Sequence, residues 1–116
     1  MSPRRLPEKA SATLFAALGD EIRLRLVVRL ARGESLSITE LASGTGITRQ
    51  AVTRHLHVLA GAGLAHGSRR GREQRWSLDR RQMEQARAFL DRISRQWDGA
   101  LARLKAAVEG DSGEQE

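Results

Sequence analysis

The stretch from Ser37 to Leu64 leaves this chain few folds to choose from. Ser37-Ile38-Thr39-Glu40 has the form of a capping box, in which the Ser hydroxyl covers one free amide and the Glu carboxylate reaches back to another. Leu41 and Ala42 continue that short helix on its apolar side. Gly44-Thr45-Gly46 then interrupts it, because glycine accepts the positive φ that a helix stop often needs. Ile47 can plug the gap that follows, and Thr48 is suited to N-cap a second helix. The glycines do not make a phosphate-binding loop, since no hydrophobic strand precedes them and no Lys-Ser/Thr follows.

The second helix has two unlike faces. At roughly 100° per residue, Val52, Leu56 and Leu59 form one apolar stripe. Gln50, Thr53, Arg54 and His57 gather on the opposite side, all hydrogen-bonding types and none acidic. Such a face suits the major groove, where Gln pairs with adenine, Arg with guanine and Thr with several edges or the thymine methyl. Thr48 and Arg49 stand at the same helix start. Helix, tight glycine turn, helix is the helix-turn-helix arrangement, whose second helix reads bases. Ala62-Gly63-Leu64 closes it and a hairpin is expected next, Leu64–Arg69 and Glu73–Leu78 around Arg70-Gly71-Arg72. Trp76 and Leu78 alternate with Arg75 and Ser77, the period of a half-buried strand. Arg69, Arg70, Arg72 and Arg75 make this hairpin a cationic wing for phosphate or minor-groove contact.

Residues 12–78 resemble the ArsR-type family of winged-helix transcriptional repressors. The resemblance rests on Leu18-Gly19-Asp20 with Arg23, on Ile38-Thr39-Glu40-Leu41-Ala42, on Val52-Thr53-Arg54-His55-Leu56 with Leu59 and Ala62-Gly63-Leu64, and on the wing Arg69–Arg75. The family usually carries Ser where Thr53 stands, a change that keeps the hydroxyl. The resemblance implies a homodimer on an operator near its own promoter, released when a signal arrives. Trp97-Asp98 with Ala100-Leu101 and Arg103-Leu104-Lys105 resembles the ending of a non-metal-sensing subgroup often encoded beside SRPBCC-type proteins.

The remaining segments fit a mainly α fold with a small β-hairpin wing. With 116 residues, one domain over 11–109 is expected, preceded by a flexible basic arm (1–10) and followed by a disordered acidic tail (110–116). Helix one is expected near Ala12–Leu18 with Leu14, Phe15 and Leu18 inward. Asp20 can cap helix two, where Ile22, Leu26, Val27 and Leu30 form the stripe and Arg25, Arg29 and Arg32 lie off it. Asp79 can cap a last helix whose apolar positions recur at threes and fours: Met83, Ala86, Leu90, Ile93, Trp97, Leu101, Leu104, Val108. About thirty residues of helix span roughly 45 Å, too long for one small domain to cover. A homodimer through the first and last helices is therefore expected, with Leu14, Phe15, Leu90, Ile93, Trp97, Leu101 and Leu104 at the contact.

Charge points the same way. The formal net charge is +6, so two copies carry +12, and Lys9 and Lys105 are the only lysines among the cations. Arginine makes forked contacts with phosphate and guanine, so double-stranded DNA is the expected partner. No apolar run suits a membrane span and the first twenty residues lack a signal-peptide core, so a cytoplasmic protein is expected, with no membrane partner. There is no cysteine, which excludes thiol chemistry. His55, His57 and His66 sit on the reading helix and the wing, away from the positions where family members hold metal, so no metal and no cofactor are expected. No histidine pairs with a nucleophile, and Asp20-Glu21 reads as helix-start acidity, so no enzyme is expected. Two other classes remain, a nonspecific architectural DNA binder and a winged-helix protein-interaction module. The effector is not legible.

Overall fold

The structure, a computed structural model, describes the backbone of residues 8–114 and the side chains of residues 8–110. The elements in order are α1 (Glu8–Leu18), α2 (Glu21–Leu30), β1 (Leu36–Ser37), α3 (Ile38–Thr45), α4 (Arg49–Gly61), β2 (Ala65–Arg70), β3 (Glu73–Leu78) and α5 (Arg80–Glu114). They divide into two units, Met1–Ala86 and Arg87–Glu116. This is the mainly helical winged helix-turn-helix order expected from the sequence.

The helix starts follow local chemistry. Asp20 accepts the amide of Arg23 at 3.0 Å and opens α2. At α3 both halves of the capping box are made, each at 3.1 Å between Ser37 and Glu40. Thr48 accepts the amide of Ala51 at 3.1 Å and opens α4. Asp79 accepts the amide of Gln82 at 2.9 Å ahead of α5. Ends are equally local. Gly46, at φ 70°, stops α3 and donates its amide to Ala42 O. Gly63, at φ 78°, stops α4 in a Schellman arrangement, with the Leu64 amide on Leu59 O at 2.9 Å. The break expected across Gly44-Thr45-Gly46 is thus confined to Gly46. Gly44 and Thr45 stay helical, and the Thr45 hydroxyl bonds back to Leu41 O at 2.7 Å.

Three boundaries differ from expectation. Helix α1 begins at Glu8, not Ala12, with an acidic residue in its favourable first turn. The arm expected over 1–10 therefore loses residues 8–10, and residues 1–7 lie outside the described residues. At the other end α5 extends through Glu114, into the stretch 110–116 expected to be a tail. Extending a formed helix adds a hydrogen bond per residue, and composition alone does not stop it. Residues 115–116 lie outside the described residues. The third difference is β1, a two-residue strand too short to leave a period in the sequence.

The wing is a three-stranded antiparallel sheet in the order β1-β3-β2. Leu36 faces Trp76 and Ser37 faces Arg75, while β2 and β3 pair from Ala65–Leu78 to Arg70–Glu73. Gly71, at φ 61°, takes the first central position of the two-residue turn, as a type II′ hairpin requires.

The core of the first unit is built from leucines. Leu14, Leu26, Leu41, Leu56, Leu59, Leu64 and Val52 are wholly buried, joined by Leu30, Leu36 and Trp76. Met83 and Ala86, on the opening turns of α5, belong to the same cluster. Leu14 was expected at a contact between copies. It is 0% exposed inside its own unit, because α1 turns Ser11, Leu14 and Ala17 toward α2 and α4. In the second unit α5 runs on as a single helix. Arg92 lies 5.1 Å over the Phe89 ring there, and Lys105 stands 3.9 Å from Glu109.

Candidate nucleic-acid interface

Helix α4 keeps the two faces its sequence promises. Val52, Leu56 and Leu59 are each 0% exposed, whereas Arg49, Gln50, Arg54 and His57 are exposed. Thr53 is half-buried, and its hydroxyl donates to Arg49 O at 2.8 Å. Ile38 of α3 joins Arg49, Gln50 and Thr53 around one shallow concavity. No acidic residue lies in the first turn of α4, so its positive end stays uncompensated.

His55 points away from that face. Its Nδ1 lies 3.4 Å from the Arg23 guanidinium and 3.9 Å from the Asp20 carboxylate. Arg23 also donates to Ala17 O at 2.7 Å, at the end of α1. One arginine thus ties α1, α2 and α4 together. The Asp20 carboxyl is held below its usual range, chiefly by the Arg23 amide, with the charges of Arg23 and His55 adding to it.

Arg69, Arg70 and Arg72 are exposed around the hairpin turn, where the sequence placed them. Arg75 is different. It was expected on the DNA surface, yet its guanidinium turns back toward the base of the wing. Nε donates to Ser35 Oγ at 3.1 Å, and Nη1 stands 3.3 Å from Glu40 and 3.1 Å from Glu73. Ser35 lies just before β1, Glu40 on α3 and Glu73 on β3 itself, so two of the three partners come from distant parts of the sequence. Glu40 is held below the usual carboxylate range, first by the Ser37 amide and hydroxyl, then by the charges of Arg75 and Arg29.

Two histidines link elements. His57, exposed on α4, meets Trp76 of β3 edge-on, with ring centroids 5.8 Å apart at 84°. His66 on β2 sets Nε2 2.9 Å from Asp79, the residue that opens α5. Among the described residues no three His, Cys, Asp or Glu side chains gather as a metal site would need. No described helix is long and apolar enough to cross a membrane.

The residues expected at a contact between copies separate. Leu14 is core and Phe15 and Ile93 are half-buried. Leu90, Trp97, Leu101 and Leu104 are 53%, 63%, 53% and 62% exposed along α5. Ser35 is the residue that sequence reasoning missed, because its role depends on Arg75 forty positions away.

Comparison with known proteins agrees with this geometry. The helix-turn-helix domain family matches residues 18–67. The HTH-type transcriptional regulator Rv2034 of Mycobacterium tuberculosis is 33% identical over 111 residues, covering 96% of each chain. An ArsR-like transcriptional regulator from Rhodococcus sp. RHA1 superposes with a TM-score of 0.73 at 34% identity, covering 84% of this chain and 91% of that one. The homodimeric winged helix-turn-helix DNA-binding domain Mb0332 from Mycobacterium bovis shares the fold, with a TM-score of 0.63 at 20% identity over 83% of this chain and 92% of that one. With a reading helix, a basic hairpin and near full-length relatives of this kind, the chain belongs to the ArsR-like helix-turn-helix transcriptional regulators, which bind DNA.

Proposed function

We propose that this regulator is a homodimeric, autoregulated repressor that reads a palindromic operator in the cytoplasm. The observation that carries the reading is the outward face of α4. Gln50, Thr53 and Arg54 project hydrogen-bonding groups from a helix whose other face is anchored by three wholly buried side chains. Thr48, Arg49 and His57 flank that row, and Arg69, Arg70 and Arg72 stand at the turn of the wing. Base contacts from α4 give sequence preference and the wing arginines hold phosphates. Arg75 acts as the anchor of the wing instead of contacting DNA.

The dimer is supported by the uncovered stripe on α5 from Leu90 to Leu104 and by the homodimeric state named for the Mycobacterium bovis relative. Two-fold pairing would set two copies of α4 about one DNA turn apart. The inducing signal is proposed to be other than a transition metal, since cysteine is absent from the chain. Zinc, cadmium, nickel, copper or arsenite at low micromolar levels should leave the operator bound.

The test is a binding assay on the DNA upstream of the protein's own gene, with random duplex as competitor. Retention against excess random DNA supports sequence-specific regulation. Equal binding to both duplexes gives an architectural DNA binder instead. Binding to neither leaves a winged-helix module for an acidic protein partner.

A further inference from the structure

We infer that Ile38 and the γ-methyl group of Thr53 form a notch for the 5-methyl group of thymine, so that this position of the operator is an A·T pair. The inference rests on the reading of α4 as the base-contacting helix. Ile38 is the apolar member of the concavity it shares with Arg49, Gln50 and Thr53, and it is half-buried at the first position of α3. A branched apolar group gains nothing beside a phosphate oxygen, but it fits a methyl group.

Thr53 adds a second, independent restriction. Its single hydroxyl proton is directed at Arg49 O at 2.8 Å. What remains for a base is a pair of lone pairs and a methyl group. The hydroxyl can therefore accept from the amino group of adenine or cytosine, and it cannot donate to guanine O6 or N7 without breaking its helix bond. An A·T pair offers both an amino group and a methyl group in the major groove, whereas a G·C pair offers no methyl. Gln50, on the same concavity, is the side chain type that pairs with adenine.

The experiment first selects a bound sequence from random duplexes. Each thymine in it is then replaced singly by deoxyuridine, which removes the methyl and keeps every hydrogen-bonding group. Wild type should lose about fourfold in affinity at one thymine of each half-site, the worth of one buried methyl group. In Ile38→Ala that loss should vanish. Thermal unfolding shows whether this variant folds; if it does not, Thr53→Ser decides, because it keeps the hydroxyl and should shrink the loss. Indifference of wild type to every replacement overturns the notch, as does an undiminished loss in the folded variants. Tight, selective binding with methyl indifference overturns the notch alone. Failure to select any sequence overturns the underlying reading of α4 as well.

Discussion

The two units of this chain use the same residue types and treat them in opposite ways. In Met1–Ala86, Leu14, Leu56 and Leu59 are each 0% exposed, while in Arg87–Glu116 Leu90, Leu101 and Leu104 are 53–62% exposed. Both sets recur at helical spacing. The first set is surrounded by α1 to α4 and the wing; the second lies on α5, where Leu90, Trp97, Leu101 and Leu104 stand exposed. Periodicity therefore says which residues share a face, and only packing says whether that face stabilises the fold or awaits a second molecule.

The contrast predicts unequal costs for similar truncations. Leu56→Ala should destabilise folding by about 2–5 kcal/mol, through lost burial and the cavity left behind. Leu101→Ala should change the stability of an isolated chain by roughly 0.5 kcal/mol or less. Chemical denaturation of the two variants at low protein concentration checks this, and equal losses would erase the distinction between the units.

A second substitution tests what these exposed side chains are for. Trp97 is the largest of them, and interface energy concentrates on such aromatic anchors. Trp97→Asp should give a folded monomer with greatly weakened operator binding, since linked binding of two half-sites is lost. Sedimentation of wild type should show twice the 12.8 kDa chain mass at micromolar concentration. A wild-type monomer would remove the dimer and the palindromic operator together.

Within the first unit the comparison can be sharpened among side chains of one kind. Gln50→Ala and Arg54→Ala should cost on the order of 1–3 kcal/mol on the selected site and relax its sequence. Arg72→Ala should weaken selected and random duplexes alike and reduce the salt dependence of binding. Arg75→Ala should instead lower the melting temperature, because its guanidinium holds Ser35, Glu40 and Glu73 together. If Arg75→Ala changed only the salt dependence, its role as wing anchor would be wrong.

The smallest effect is acid sensitivity. Asp20 and Glu40 titrate below their ordinary values of 3.8 and 4.5 in the folded chain. A lowered carboxyl stabilises the fold above its unfolded-state value and loses that contribution as pH falls through the folded one. Melting temperature should thus decline below about pH 4.5 and continue to decline through the lowered values. Ser37→Ala, which removes the hydroxyl acting on Glu40, should flatten part of that decline; an unchanged acid limb would show that this contact carries none of it.

What the sequence made legible was local. Asp20, Ser37, Thr48 and Asp79 act within three residues of themselves, and each caps the helix that its neighbours announce. The apolar stripe of α4 was readable for the same reason. Leu14 was legible as an inward residue of the first helix but not as one unavailable to a second copy, and Arg75 was not legible as an anchor, since Ser35 and Glu40 lie far along the chain. Leu14 shares its helix with Phe15, and only packing against α2 and α4 assigns one to the core. Arg75 alternates with Trp76 as a surface residue should, and only the fold brings Ser35, just before β1, and Glu40, on α3, within reach of its guanidinium.

The anchoring of Arg75 has a thermodynamic consequence for the wing. The base of the hairpin is ordered when the chain folds, so little of its conformational entropy is left to be lost when a ligand arrives. Preorganisation of this kind raises affinity by lowering the cost of association and adds no contact. The turn residues Gly71 and Arg72 lie beyond that fixed base and are exposed. A root held in this way fixes the angle at which the hairpin leaves its base and presents the exposed turn in one direction.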